Sequence, residues 1–207
     1  MKIRNKNINI NDKISFIYVE NYINARTYSE MNSLKGKVKN KLYNCKGLIV
    51  NYSTGFSAKI TNITINKIIY PTSHFKAFNT RYIDNLNASY YLKYLFKNAI
   101  YIDTLKPMKQ KTNNPNEIGY HHFVAPIKMN GKCYKALITV KERINSKILY
   151  VVSVNLFKFN YKKNDISVKT LINNIDIWNY NLKNYNHYTY NDFVAENIDG
   201  DYIWLIA

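Results

Sequence analysis

Two adjacent histidines, His121 and His122, open a run of alternating residues from Tyr120 to Met129. That run passes through Asn130-Gly131 into a second one, Lys132 to Arg143. Asn-Gly between two such runs marks a two-residue hairpin, because both residues tolerate the positive φ of a type I′ turn. The turn fixes the register: Met129 faces Lys132, Ile127 faces Tyr134, Phe123 faces Ile138, His122 faces Thr139, and Tyr120 faces Lys141. Alternation then sends Phe123, Ala125, Ile127, Tyr134, Ala136, Ile138 and Val140 to a buried side, and Tyr120, His122, Lys135, Thr139, Lys141 and Arg143 to the other. An imidazole among ammonium, guanidinium, hydroxyl and phenol groups is the set that metal-free RNA cleavage requires. A base takes the 2′-hydroxyl proton, an acid protonates the leaving 5′-oxygen, and cations hold the charge on phosphorus. On this reading His121 or His122 transfers the proton and Lys141 stabilises the phosphate. Arg143, Lys135 and Lys128 guide the RNA backbone, with Tyr120 and Thr139 on the same surface.

The remaining chemistry-bearing residues are sparse. The sequence holds no carboxylate cluster suited to two magnesium ions, and no metal or other cofactor is expected. Cys45 and Cys133 have no Cys-x-x-Cys partner and read as buried thiols. His74, in a loop after Pro71, and His187, in a Tyr/Asn-rich stretch, read as ordinary polar residues.

The charge fits a polyanionic partner. Thirty Lys and Arg against thirteen Asp and Glu give +17 over 207 residues. An AT-rich coding bias enriches Lys, Asn, Ile and Tyr, but does not by itself remove acids. Residues 1–160 carry 26 basic and 7 acidic side chains, net +19, whereas residues 161–207 carry 4 and 6, net −2. This reads as a basic binding body with a neutral to acidic tail. RNA, whether tRNA or mRNA, is the expected partner. No 18-residue apolar run and no apolar leader appear, so no membrane partner and a cytoplasmic location are expected.

The elements that must position these groups are legible in part. Ile14 to Val19 reads as a strand, Asn21 to Leu34 as a helix, Lys35 to Lys46 as a basic connector, and Gly47 to Tyr52 as a strand. Helices follow at Asn62 to Tyr70 and Leu86 to Asn98, the first ended by Pro71. Strands are expected at Ala99 to Asp103, Tyr120 to Met129, Lys132 to Arg143 and Lys147 to Phe157, the last three forming a meander. Ile175 to Tyr180 and a final apolar run, Tyr202 to Ile206, complete the reading. The class is α+β: amino-terminal helices packed on a four-stranded or larger antiparallel sheet with one face covered. The proposed division is an extension at 1–46, a core at 47–160 and a packed tail at 161–207.

The stretch from Leu92 to Phe157 carries Tyr94 to Asp103, then His121-His-Phe-Val-Ala-Pro, then Thr139 to Glu142 and Leu149-Tyr150. With Thr54-Gly55, Ser57 to Ile60 and Lys67 upstream, it resembles nuclease-like domains of the barnase, EndoU, colicin and RelE superfamily found in large polyvalent phage proteins. The resemblance covers about residues 47–158. It implies a helical part on an antiparallel sheet and a metal-independent endoribonuclease, often a toxin with a cognate antitoxin or immunity protein. It points to His121, before Phe-x-Ala-Pro, to the strand end Lys141-Glu142, and to Lys67 as the upstream lysine. Asp84 and Asn85 stand where the resemblance leads to a histidine, and Leu137 or Ile138 where a basic residue is frequent. These departures motivate the alternative of an inactive relative that grips nucleic acid or a host ribonucleoprotein, as a counter-defence, anti-CRISPR-like protein would.

Overall fold

The computed structural model describes residues 3–6, 8–71, 80–105, 117–144, 146–159 and 161–173. The strands are β1 (Lys13–Ser15), β2 (Ile17–Val19), β3 (Gly47–Val50), β4 (Ser57–Ile60), β5 (Ile100–Leu105), β6 (Glu117–Met129), β7 (Lys132–Arg143), β8 (Ser146–Phe159) and β9 (Asp165–Ser167). The helices are α1 (Tyr28–Asn44), α2 (Asn62–Ile69), α3 (Thr80–Ser89), α4 (Leu92–Asn98) and α5 (Val168–Asn173). The class is α+β, as the sequence indicates. No helix among the described residues is long and apolar enough to cross a membrane, which leaves strand-built spans aside. The expected elements at Ile175 to Tyr180 and Tyr202 to Ile206, together with His74 and His187, lie outside the described residues.

The central hairpin forms as the turn dictates. Asn130 and Gly131 have φ of 47° and 68°, and every pairing expected from the turn occurs, from Met129 with Lys132 to Tyr120 with Lys141. β8 adds antiparallel to β7 to complete the meander. The sheet then grows past it, to seven strands in the order β2-β6-β7-β8-β4-β3, with β5 also paired to β6. It is mixed: β2 runs parallel to β6, and β4 parallel to β8. β5 and β2 share one edge of β6, β5 reaching Val124 and β2 starting at Ile127. Pro126, with no N–H to give, stands in the gap between them.

Alternation also places the core. Phe123, Ala125, Ile127, Tyr134, Ala136, Ile138 and Val140 all enter the main cluster, packed against α1 to α4. The opposite face differs from the expectation of a solvated surface. A second cluster covers it, built from Phe16, Ile100, Val124, Cys133, Ile166, Val168 and Leu171. Its lid is β9 and α5, two elements too short to announce themselves by periodicity. They are held by β1–β9 pairing and by Val168 and Lys169 amides donating to Asp12 and Ile10 carbonyls at 2.9 Å each.

α1 replaces the expected connector at Lys35 to Lys46. Thr27-x-x-Glu30 is a capping box: the Thr27 hydroxyl accepts from the Glu30 amide at 3.2 Å, and the Glu30 carboxylate accepts from the Thr27 amide at 3.0 Å. The Arg26 amide donates to the same carboxylate at 2.7 Å, and it and the Thr27 amide hold the Glu30 carboxyl below its usual range. From that cap Met31, Leu34, Val38 and Leu42 form one buried stripe. Four lysines between these positions disguise the helical period. Two further departures follow from local backbone: Phe16 separates β1 and β2 into different sheets, and Tyr90-Tyr91 break the expected helix into α3 and α4.

A candidate active site at the end of the central hairpin

His121 and His122 are neighbours on β6, so their rings emerge on opposite faces of the sheet, and both are 3% exposed. Each meets a carboxylate. His121 Nε2 lies 2.9 Å from Glu142 Oε2, and His122 Nδ1 lies 2.5 Å from Asp103 Oδ1. The two carboxylates reach water, with side chains 30% and 32% exposed.

An irregularity in β5 builds the first pair into a longer chain. Tyr101 pairs with Phe123 and Thr104 with His121, the register shifting between Tyr101 and Asp103. Three residues apart, Tyr101 and Thr104 would point to opposite faces of a regular strand; the bulge puts both on the helical face. Tyr101 Oη is 2.7 Å from Thr104 Oγ1, which is 2.7 Å from His121 Nδ1. Phe56 packs its ring edge-on against the imidazole, centroids 4.8 Å apart. Burial pushes the His121 pKa below its ordinary value, outweighing the opposite pull of Glu142. A neutral ring fixes the direction of every bond. Nε2–H donates to the Glu142 carboxylate, Nδ1 accepts the Thr104 hydroxyl proton, and Thr104 accepts from Tyr101. Desolvation raises the Tyr101 pKa, so its phenol remains protonated. The arrangement presents one open carboxylate backed by an oriented row of donors.

The amino-terminal segment closes this side. Asn5 clasps the Tyr101 backbone, its Nδ2 donating to the carbonyl at 2.9 Å and its Oδ1 accepting from the amide at 3.0 Å. Lys6 follows, its amide hydrogen-bonded to the Ser53 carbonyl. Its ammonium sits by Gly55, where an added Cβ would come 3.5 Å from Nζ, next to the Phe56 that packs on His121.

On the other face lie His122 with Asp103, Thr139 across from it, and Tyr120 with the Lys141 ammonium 5.5 Å from its ring centroid. Thr139 is fully buried and its hydroxyl has no hydrogen-bond partner. The expected polar surface is therefore split. His122 and Thr139 are enclosed rather than solvated, and the sheet stands between His122 and His121. Arg143 is half-buried at the β7 end, its backbone in register with Glu117 of β6 and Ser146 of β8. Lys128 lies seven residues along β6 from His121, about 23 Å at strand rise, with its ammonium over the Tyr18 ring at 5.8 Å. Lys67 is in the last turn of α2.

Lys135 departs furthest from a role in guiding RNA. It is 1% exposed, its ammonium donating to the Thr170 carbonyl at 3.0 Å and lying over Phe159 at 5.4 Å. α5 covers it because the second core needs that layer. Desolvation pushes its pKa down from 10.5 to about 8. A folded pKa below the unfolded one means the unfolded chain binds more protons between pH 8 and 10.5, so stability rises with pH across that window. Below pH 8 the buried charge opposes folding. Lys135→Met is thus expected to stabilise the protein by about 2 kcal/mol at pH 7, with the gap closing above pH 10. Urea midpoints of both proteins from pH 6 to 10.5 check this; a destabilised variant at pH 7 would contradict it.

Asp84, where the resemblance led to a histidine, is buried and accepts from the phenols of Tyr22 at 2.7 Å and Tyr134 at 2.8 Å. Both phenol pKa values rise, first through burial and then through that carboxylate. It acts as a cross-link between β7, α3 and the segment before α1. Sequence reasoning missed Tyr101, Asp103, Thr104, Phe56 and Lys6. The β5 register depends on a bulge that no turn specifies, and Lys6 arrives from the far end of the chain. Among the described residues no three His, Cys, Asp or Glu side chains converge enough to hold a metal ion.

Fold and site together define a basic α+β domain, with imidazole–carboxylate pairs on both faces of a central hairpin. Residues 29–150 match the family model for large polyvalent protein-associated domain 3, more than half of the chain. The chain belongs to that family, a phage-associated one. No curated protein and no solved structure gives a significant match to it.

Proposed function

We propose that the protein is a metal-independent endoribonuclease with Glu142 as its general base. The observation that carries this reading is the row Tyr101, Thr104, His121 and Glu142, which ends in a part-exposed carboxylate held by a neutral, buried imidazole. Glu142 takes the 2′-hydroxyl proton, the 2′-oxygen attacks phosphorus, and the 5′-oxygen leaves with a proton from the Tyr101 phenol. Lys6 beside Phe56, on the same face as His121 and Glu142, offsets the charge developing on the phosphate. His121 works through Glu142: with both ring nitrogens engaged it positions the carboxylate. The net charge of +17 and the resemblance to the barnase, EndoU, colicin and RelE superfamily support the same reading. Purified protein should cut total tRNA or an mRNA transcript in EDTA. Intact RNA after incubation with folded protein would end the proposal.

The enclosure of both imidazoles favours a second reading: the same scaffold gripping nucleic acid without cutting it, a counter-defence role included. Tight, salt-sensitive binding with no product is its signature.

A further inference from the structure

From Met31 to Ile102 the sequence carries eleven Lys and Arg and a single acid, Asp84. Asp84 is buried and committed to two phenols. The helical layer therefore offers water a surface rich in cations, and the one exposed carboxylate of α1 to α4 among the described residues, Glu30, is engaged by the backbone amides at the α1 cap. That surface is also aromatic. Tyr43, Tyr52 and Tyr94 are 38%, 65% and 56% exposed, which leaves ring surface open to a stacking partner.

The cations and rings are interleaved. Tyr43, in the last turn of α1, has the Lys39 and Lys46 ammoniums 6.0 and 5.0 Å from its ring centroid. Lys41 lies over Tyr90 at 5.2 Å, linking α1 to the α3–α4 junction. Within α4, Tyr94 and Lys97 stand three residues apart on one side of the helix. Lys97 lies over Tyr52 at 5.4 Å, and its carbonyl accepts from the Tyr52 amide at 2.8 Å, joining α4 to the end of β3. Cations and rings thus alternate at three places on the helical layer: at the end of α1 around Tyr43, at the α1 to α3–α4 contact of Lys41 with Tyr90, and where α4 meets the end of β3. Each lysine is held beside a ring whose remaining surface is open.

We infer that this helical surface, rather than the sheet face, grips a single-stranded stretch of nucleic acid, with bases stacked on Tyr43, Tyr52 and Tyr94 and phosphates on Lys41, Lys46 and Lys97. Unpaired bases need exposed rings, and their phosphates need cations at intervals between those rings. A duplex hides its base faces and needs only charge. An acidic protein needs the lysines but gives the tyrosines no planar partner, so the interleaving favours the single strand. The inference rests on nucleic acid being the partner in the reading above and is independent of cleavage.

The test uses full-length E142Q protein in EDTA, with fluorescence anisotropy of labelled U12 RNA, a 12-base-pair RNA duplex and poly-glutamate. Tyr43→Ala, Tyr52→Ala and Tyr94→Ala combined should weaken U12 binding by at least about tenfold and leave the duplex unchanged, with the triple Phe variant restoring it. Lys41→Gln, Lys46→Gln and Lys97→Gln combined should weaken both RNAs and reduce the U12 salt slope by about 2. Circular dichroism verifies that the variants, all at exposed or half-buried positions, remain folded. The inference is overturned if the alanine variant binds U12 like the parent, or if duplex or poly-glutamate binds as tightly as U12. Failure of wild-type protein to cut RNA, with U12 binding intact, would sink the nuclease reading alone.

Discussion

Replacing Glu142 with Gln is expected to lower RNA cleavage by about 10²- to 10⁴-fold with little change in melting temperature. Glutamine has the same shape, and its amide oxygen still accepts from His121 Nε2–H, so the row from Tyr101 to residue 142 survives. The ability to take a proton is lost, and that is the usual scale for losing a general base. His121→Asn should act differently. The carboxylate remains but loses the donor that aims it, so cleavage falls less than in E142Q. Tyr101→Phe keeps the ring against Phe123 and removes the phenol proton, reducing the rate without weakening RNA binding. Cleavage rates on one RNA across pH 5–9 check all three. Full activity in E142Q would remove Glu142 from the chemistry and move attention to Asp103 and His122.

The second large effect is on stability. Asn51 is fully buried, and every polar atom of its side chain is used. Its Nδ2 donates to the Phe96 and Ala99 carbonyls at 2.7 and 2.8 Å. Its Oδ1 accepts from the Ser53 hydroxyl at 2.8 Å, the Thr54 amide at 3.0 Å and the Thr54 hydroxyl at 2.6 Å. One amide therefore joins the tight loop between β3 and β4 to the carboxyl end of α4. Asn51→Leu keeps the branching and heavy-atom count of the side chain but strands those partners in a dry interior. Each unsatisfied buried group costs about 1–3 kcal/mol, and cooperative networks lose more than one bond when cut. We expect a loss of about 3–5 kcal/mol, read as a urea midpoint at constant m-value. Ser53→Ala, which removes one arm, should cost about 1 kcal/mol. A Leu variant as stable as wild type would show that the network relaxes around the change.

The hairpin was the most legible part of the chain because one dipeptide sets both turn and register, and the period of two then assigns every side chain to a face. That logic placed Phe123 through Val140 in the core. It could not say what covers the other face, since β9 and α5 together span nine residues and hold on by pairing with a strand 150 residues earlier. Lys135 and Thr139 were read as solvated for that reason. His121 drew attention as one of an adjacent pair, but its role hangs on Thr104 and Tyr101, and a bulge is a property of paired backbones rather than of residue type. α1 differs from the expected helix at Asn21 to Leu34 in its bounds, starting at Tyr28 and running on to Asn44. Lysines at every second position hide the continuation of its stripe from Leu34 to Val38 and Leu42.

The parallel pairing of β2 with β6 and of β4 with β8 governs how the chain assembles. Residues 17–19 find their neighbours at 127–129, and Lys59 finds its partner at Tyr150. During synthesis the first sixty residues leave the ribosome with most of their sheet partners still unmade, and closing such wide gaps slows folding. Until the hairpin arrives the nascent amino-terminal half must wait, cationic and half-apolar, beside the ribosome's own RNA.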